Sequence, residues 1–164
     1  MFPDPTLVWR PFPSALDGIG APFVLDRGLW RGVLSLIVVE GLAPHRAFGV
    51  QVRCEAYLAV EEMIYSVADH GEGARYDGGV YLKEAVNSRA RDAYEAIDPM
   101  HRKVRHFLFV GGDRCYETLG FEEPAVRPFA DEEAAYAWRP DAEASADSAG
   151  QLPTIDGGPA VNHG

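Results

Sequence analysis

Trp30-Arg31-Gly32-Val33-Leu34-Ser35-Leu36-Ile37-Val38-Val39-Glu40 is a continuous apolar run without a helical stripe, and it reads as a strand buried on both faces. After the turn-like Gly41-Leu42-Ala43-Pro44-His45-Arg46, the residues Phe48, Val50, Val52 and Cys54 alternate with Gly49, Gln51, Arg53 and Glu55. Side chains on a strand point alternately to its two faces, so the second segment is a strand with one wet face. The two pair most simply as an antiparallel hairpin.

Upstream, five of the twelve prolines fall within the first 22 residues and interrupt every apolar segment, as in Leu7-Val8-Trp9-Arg10-Pro11-Phe12-Pro13. Proline lacks a backbone donor and restricts the residue before it, so residues 1–22 read as an extended arm or edge strand, docked by Trp9 and Phe12. Downstream, Ala56, Leu58 and Val60 continue a strand to about Val60, the favoured reading, although Leu58, Glu61, Glu62 and Tyr65 equally fit a helix; the glycine-rich stretch from Asp69 to Gly79 reads as a surface loop. Leu82, Ala85, Val86, Ala90, Ala93, Tyr94 and Ile97 recur at three- and four-residue steps, the stripe of an amphipathic helix, with Arg91 and Glu95 one turn apart on its outer face. A strand ending near Val86, with Asn87 or Ser88 capping a shorter helix, is the competing reading.

Phe107-Leu108-Phe109-Val110 and Cys115 to Leu119 flank Gly111-Gly112-Asp113-Arg114, a hairpin signal. Pro124 and Pro128 hold Ala125 to Phe129 to a short edge strand, and Asp131-Glu132-Glu133 opens a brief helix through Trp138. From Pro140 the composition is that of a disordered tail. The expected fold is α+β: an antiparallel sheet of about five strands in a domain spanning 23–139, with one main helix packed on a face, and a tail over 140–164.

The chain has 164 residues, 47% of them hydrophobic, enough for one domain with a substantial core. Its net charge of −10 argues against a nucleic-acid binder, which needs a field of Lys and Arg, and permits a basic protein partner. Seven acids against one base lie from Ala130 onward, whereas the first 129 residues carry eighteen acids and fourteen bases. The body itself is therefore only mildly acidic. No stretch approaches the roughly 18 apolar residues that span a bilayer, and Met1-Phe2-Pro3-Asp4-Pro5 lacks a cationic secretory start, so a cytoplasmic protein that binds no membrane is expected.

Standard chemical motifs are absent: there is no phosphate loop, His-Glu-x-x-His, calcium loop or Gly-x-Ser-x-Gly elbow, and Gly18-Ile19-Gly20 reads as a turn. No cofactor, metal site or catalytic residue is expected. Cys54 and Cys115 read as buried free thiols. A cysteine nucleophile would need a histidine such as His106 beside Cys115. His101 and His106 flank the cations Arg102, Lys103 and Arg105, which read as a solvated basic stretch with capacity for an anion contact. His45, His70 and His163 read as ordinary surface residues. Glu55, Glu61, Glu62 and Asp69 read as an acidic edge suited by charge to a basic partner.

The segments Cys54-Glu55-Ala56-Tyr57-Leu58-Ala59-Val60-Glu61-Glu62, Val80-Tyr81-Leu82-Lys83-Glu84-Ala85-Val86-Asn87-Ser88 and Arg105-His106-Phe107-Leu108-Phe109-Val110 leading to Cys115-Tyr116-Glu117-Thr118-Leu119 resemble, in their order, small bacterial α+β proteins, some of them immunity-type proteins that neutralise a toxin. The resemblance covers residues 30 to 129. It implies a strand ending near Val86, a cap at Asn87-Ser88 and a non-catalytic protein-binding role. The alternative is a small-molecule-binding or enzyme domain, with a pocket between sheet and helix using some of His106, Cys115, Tyr94, Tyr116 and Arg105.

Overall fold

The computed structural model describes residues 4–61, 65, 69–74, 79–100 and 102–140. Among them, nine strands form two antiparallel sheets, with two short helices. This corrects the expectation of a single five-stranded sheet with one main helix. The five-stranded sheet, in order β1-β6-β7-β8-β5, contains β1 (Val8–Pro11), β6 (Leu82–Asn87), β7 (Arg105–Val110), β8 (Arg114–Gly120) and β5 (Ala56–Glu61). The four-stranded sheet, in order β2-β3-β4-β9, contains β2 (Pro22–Trp30), β3 (Val33–Glu40), β4 (Ala47–Arg53) and β9 (Ala125–Pro128).

β3 and β4 form the hairpin that the sequence predicts, with Leu34 opposite Val52 and Leu36 opposite Val50. The apolar run beginning at Trp30 divides in two, because Arg31 and Gly32 both take positive φ and turn β2 back onto β3. Such paired positive φ angles match the twist of the flanking strands, which is why two-residue hairpins use them.

Alternation decides which side chains meet. Leu34, Leu36, Val38, Phe48, Val50 and Val52 face Leu82, Phe107, Phe109 and Tyr116 of the other sheet in one apolar core. Leu16 and Ile19, from the proline-rich segment, are fully buried in it, and Phe12 packs edge-on against Phe107. The N-terminal segment therefore supplies core residues as well as the edge strand β1. Glu40 ties its turn down: the carboxylate takes Arg46 side-on and accepts the Gly20 N–H, and these bonds hold it at about 2.

The long helix over Val80 to Ile97 is corrected. Leu82 and Ala85 belong to β6, Ser88 is the N-cap, and helix α1 runs from Arg89–Ile97 without a fully buried residue. The expected Arg91–Glu95 pair does not form: Arg91 lies beside Asp92, and Glu95 accepts from Lys103 and the Val104 N–H. The alternating face of β4 expected to be wet is partly covered. Helix α2 (Glu132–Ala137), capped by Asp131, brings Ala135 and Trp138 with Phe129 onto Ile37 and Val39. Gly49 lies beneath them, and a Cβ there would approach Trp138 to 2.9 Å and Phe129 to 3.0 Å. The tail from 141 to 164 lies outside the described residues. No helix among the described residues is long and apolar enough to cross a membrane.

Candidate functional site

Two places carry ionisable groups in an arrangement beyond scattered surface charge. One is the outer face of the five-stranded sheet. Because β7 and β8 form a regular hairpin, with Val110 opposite Cys115 and Leu108 opposite Glu117, the residues His106, Leu108, Val110, Cys115 and Glu117 share that face. Leu7, Trp9, Tyr65 and Ala74 roof it.

Glu117 is the centre of this layer at 2% exposure. Tyr65 Oη donates to Oε1 at 3.0 Å, and His70 Nδ1 lies 3.2 Å from the same oxygen with its ring stacked on Tyr65. His106 Nε2 stands 3.5 Å from Oε2, at ion-pair distance but outside hydrogen-bond geometry. Burial pushes the Glu117 carboxyl up, but His106, Tyr65 and His70 together outweigh it and hold the group below its ordinary value. An isolated buried carboxylate would instead be neutralised. Burial and the adjacent Glu117 charge push the Tyr65 hydroxyl up, so it stays a donor.

On its other side, His106 Nδ1 lies 2.8 Å from Ser88 Oγ, which also accepts the Arg91 N–H at 3.1 Å as the cap of α1. The Ser88 hydroxyl thus links the first turn of α1 to the imidazole ring beside Glu117. Trp9 packs edge-on over His106, with ring centres 4.8 Å apart, and its Nε1–H donates to the His70 carbonyl. Lys83 is buried at the same level and donates to the Gly73 carbonyl.

Ser88, His106 and Glu117 are the residue types of a hydrolytic triad, but the geometry is that of a structural network. Ser88 and Glu117 are each 2% exposed, the hydroxyl is engaged as a helix cap, and Trp9 covers the imidazole. A nucleophile must reach its substrate. Among the described residues, no group of three or more His, Cys, Asp or Glu side chains is arranged to hold a metal ion.

The reading of His70 and His106 as solvent-facing is overturned: they are 5% and 1% exposed. Glycine freedom hid the first, because Gly71 and Gly73, both at positive φ, let the loop backbone lie against Leu7 and Trp9, where a Cβ would meet carbonyl oxygens. The second was visible in principle, since the Gly111-Gly112 turn alone fixes a register that puts residues 106 and 117 on one face. His45 is exposed as expected, whereas His101 and His163 lie outside the described residues. Both cysteines are buried free thiols, and burial pushes the Cys54 thiol up. Cys115 sits opposite Val110, four residues along β7 from His106, so the ladder does not place the two side by side. Tyr116 faces the inter-sheet core, away from His106 and Cys115, while Tyr94 donates to Glu55 and Arg105 binds Glu84; these five residues do not converge.

The second place is β5, which among the described residues pairs on one side only, with β8. Glu61 is exposed at the end of β5, and Glu55 is exposed in the bend just before it, where its carboxylate accepts from the Tyr94 hydroxyl at 3.2 Å. Tyr57 and Ala59 lie exposed between them. Asp69 is exposed but spends one oxygen on the Gly71 N–H, and Glu62 lies outside the described residues. The expected anion contact meets a different arrangement: each cation has its own acid. Arg102 binds Asp98 and stacks over Phe121, Lys103 binds Glu95, and Arg105 binds Glu84 through two nitrogens and Glu123 through a third. No family model, no curated protein and no solved structure matches this chain.

Proposed function

We propose that this chain is a non-catalytic binding protein that presents its acidic β5 edge to a basic protein, in the manner of an immunity protein neutralising a partner. The observation that carries the reading is the division of its ionisable groups. The cluster able to do chemistry is buried and committed to the fold, and the cations at 102, 103 and 105 are each matched by a carboxylate. Glu61 at the end of β5 and Glu55 in the bend before it keep exposed carboxylates, the latter also accepting from Tyr94. Rim charges of this kind steer encounter and set salt dependence more than they set affinity.

The test is capture from lysate of the source cell at rising ionic strength, with the retained proteins identified by mass. The reading requires basic proteins that elute as salt rises and that Glu55→Gln/Glu61→Gln fails to retain. Retention of acidic proteins alone, or retention unchanged by salt and by the double substitution, overturns it.

A further inference from the structure

The acidic segment from residue 141 onward has no part in the β5 reading, and the four-stranded sheet carries an apolar surface that no described residue covers. Phe23, Leu25 and Trp30 of β2 stand opposite Val39, Ile37 and Val33 of β3, on the face that carries α2. The cover stops at β3. Ile37 and Val39 lie buried beneath Ala135 and Trp138, whereas Phe23 is 62% exposed, Leu25 43% and Trp30 47%. Scattered apolar side chains at a surface need no explanation, but a row of three large ones along one strand face is a place where further chain packs.

The main chain leaves the described residues beside this row. Arg27, at the irregularity in β2, donates to the Tyr136 carbonyl in the last turn of α2, and Arg139 donates to the same oxygen at 2.8 Å. Pro140 follows directly, so residues 141–164 begin where α2 meets β2. Three cations gather there: Arg27, whose buried Nε has no partner among the described residues, Arg31 over the Trp30 ring, and Arg139. Residues 141–164 carry four acids, Asp141, Glu143, Asp147 and Asp156, and neither Lys nor Arg. Their few large aliphatic residues, Leu152, Ile155 and Val161, cannot build a core of their own. The twelve steps from Pro140 to Leu152 reach up to about 40 Å, against about 23 Å for the row from Phe23 to Trp30.

We infer that residues 141–156 dock on the β2 face of their own chain, with Asp141, Glu143 and Asp147 passing Arg27 and Arg31, and with Leu152 and Ile155 resting on the row of Phe23, Leu25 and Trp30. Three half-exposed side chains supply well under the roughly 800 Å² per partner of a stable dimer, which favours a tethered occupant over a second copy. A segment that starts at its own docking face meets that face at an effective concentration in the millimolar range, so a small contact suffices. The ion pairs at the arginines lie at the surface and weaken with salt. Docking matches the acids from 141 onward within the chain, independently of the carboxylates at β5.

The test attaches a nitroxide to Gln151→Cys in the full chain, whose two native thiols are buried, and reads the loss of amide signals by NMR. Amides from Phe23 to Trp30 are expected to lose at least half their intensity, while those of α1 keep theirs. Adding Leu152→Ser/Ile155→Ser to the same chain, outside every described packing contact, is expected to restore the β2 signals at least twofold. A one-to-one mixture of nitroxide-bearing chain with nitrogen-15 chain lacking the nitroxide separates the occupants, since docking within one chain leaves the second population unbroadened. Broadening of equal size in the mixture assigns the face to a second copy and overturns the inference. Equal loss at β2 and α1, no loss at β2, or loss unchanged by Leu152→Ser/Ile155→Ser overturns it as well.

Discussion

The two sheets share one apolar core, but their outer faces are covered by opposite means. Over the four-stranded sheet the cover is apolar: Trp138, Ala135 and Phe129 rest on Ile37, Val39 and the bare backbone of Gly49. Over the five-stranded sheet it is a polar network in which Tyr65, His70, His106 and Ser88 surround Glu117. An apolar cover asks only for volume and tolerates exchange of one large side chain for another. A buried polar network around a carboxylate is unforgiving, since removing one member leaves its partners desolvated and unpaired. The same architecture thus has one cover of apolar side chains and one that holds a buried carboxylate.

Breaking the network should have the largest effect. Glu117→Ala is expected to lower stability by about 3–5 kcal/mol, the usual cost of stripping one partner from a buried pair, read as a fall in the urea midpoint. Trp138→Ala should cost about 3 kcal/mol by uncovering Ile37 and Val39, whereas Trp138→Phe should cost under about 1.5 kcal/mol. That tolerance is what separates the two faces: the near-isosteric Glu117→Gln should cost more than Trp138→Phe, and the reverse order in chemical denaturation would erase the distinction.

Ser88→Ala should cost about 1–2 kcal/mol, from the lost α1 cap and the bond to His106. The loss should appear as faster amide exchange in the first turn of α1.

The pH profile follows from carboxyls held below their ordinary values. Glu117, Asp98 and Glu40 are all lowered in the folded chain, Glu40 to about 2. A group lowered on folding contributes stability that is complete above its unfolded value, ordinarily 4.5 for glutamate, and is lost as pH falls through the folded one. Stability is therefore expected to decline progressively below about pH 4.5, with the Glu40 share surviving to nearly pH 2. In Glu117→Gln the upper part of that decline should shrink, and Trp138→Phe should leave the profile unchanged.

How far the sequence discloses this arrangement depends on how local the signal is. The β3–β4 and β7–β8 hairpins, the short β9 and the Asp131 cap are written in alternation and turn chemistry, and all appear. β2 was hidden because Pro22 and Gly28 argue against a strand, although the strand tolerates them at its first residue and at an irregularity. The helical stripe through Leu82 and Ala85 misled because a three-residue step joins strand and helix residues across the Ser88 cap. What no local pattern conveyed was that β5 ends its sheet, since edge position is set by the non-local pairing of β8 with both β7 and β5.

The most direct test of the account sets the two ionisable regions against each other. The basic protein captured by the wild-type chain is titrated against Glu55→Gln/Glu61→Gln and against His106→Gln, each first shown to be folded. The account predicts at least tenfold weaker binding for the edge variant, steeply reduced salt dependence, and affinity within twofold of wild type for His106→Gln. Wild-type affinity in the edge variant with loss of binding in His106→Gln would contradict it and place the function in the buried network.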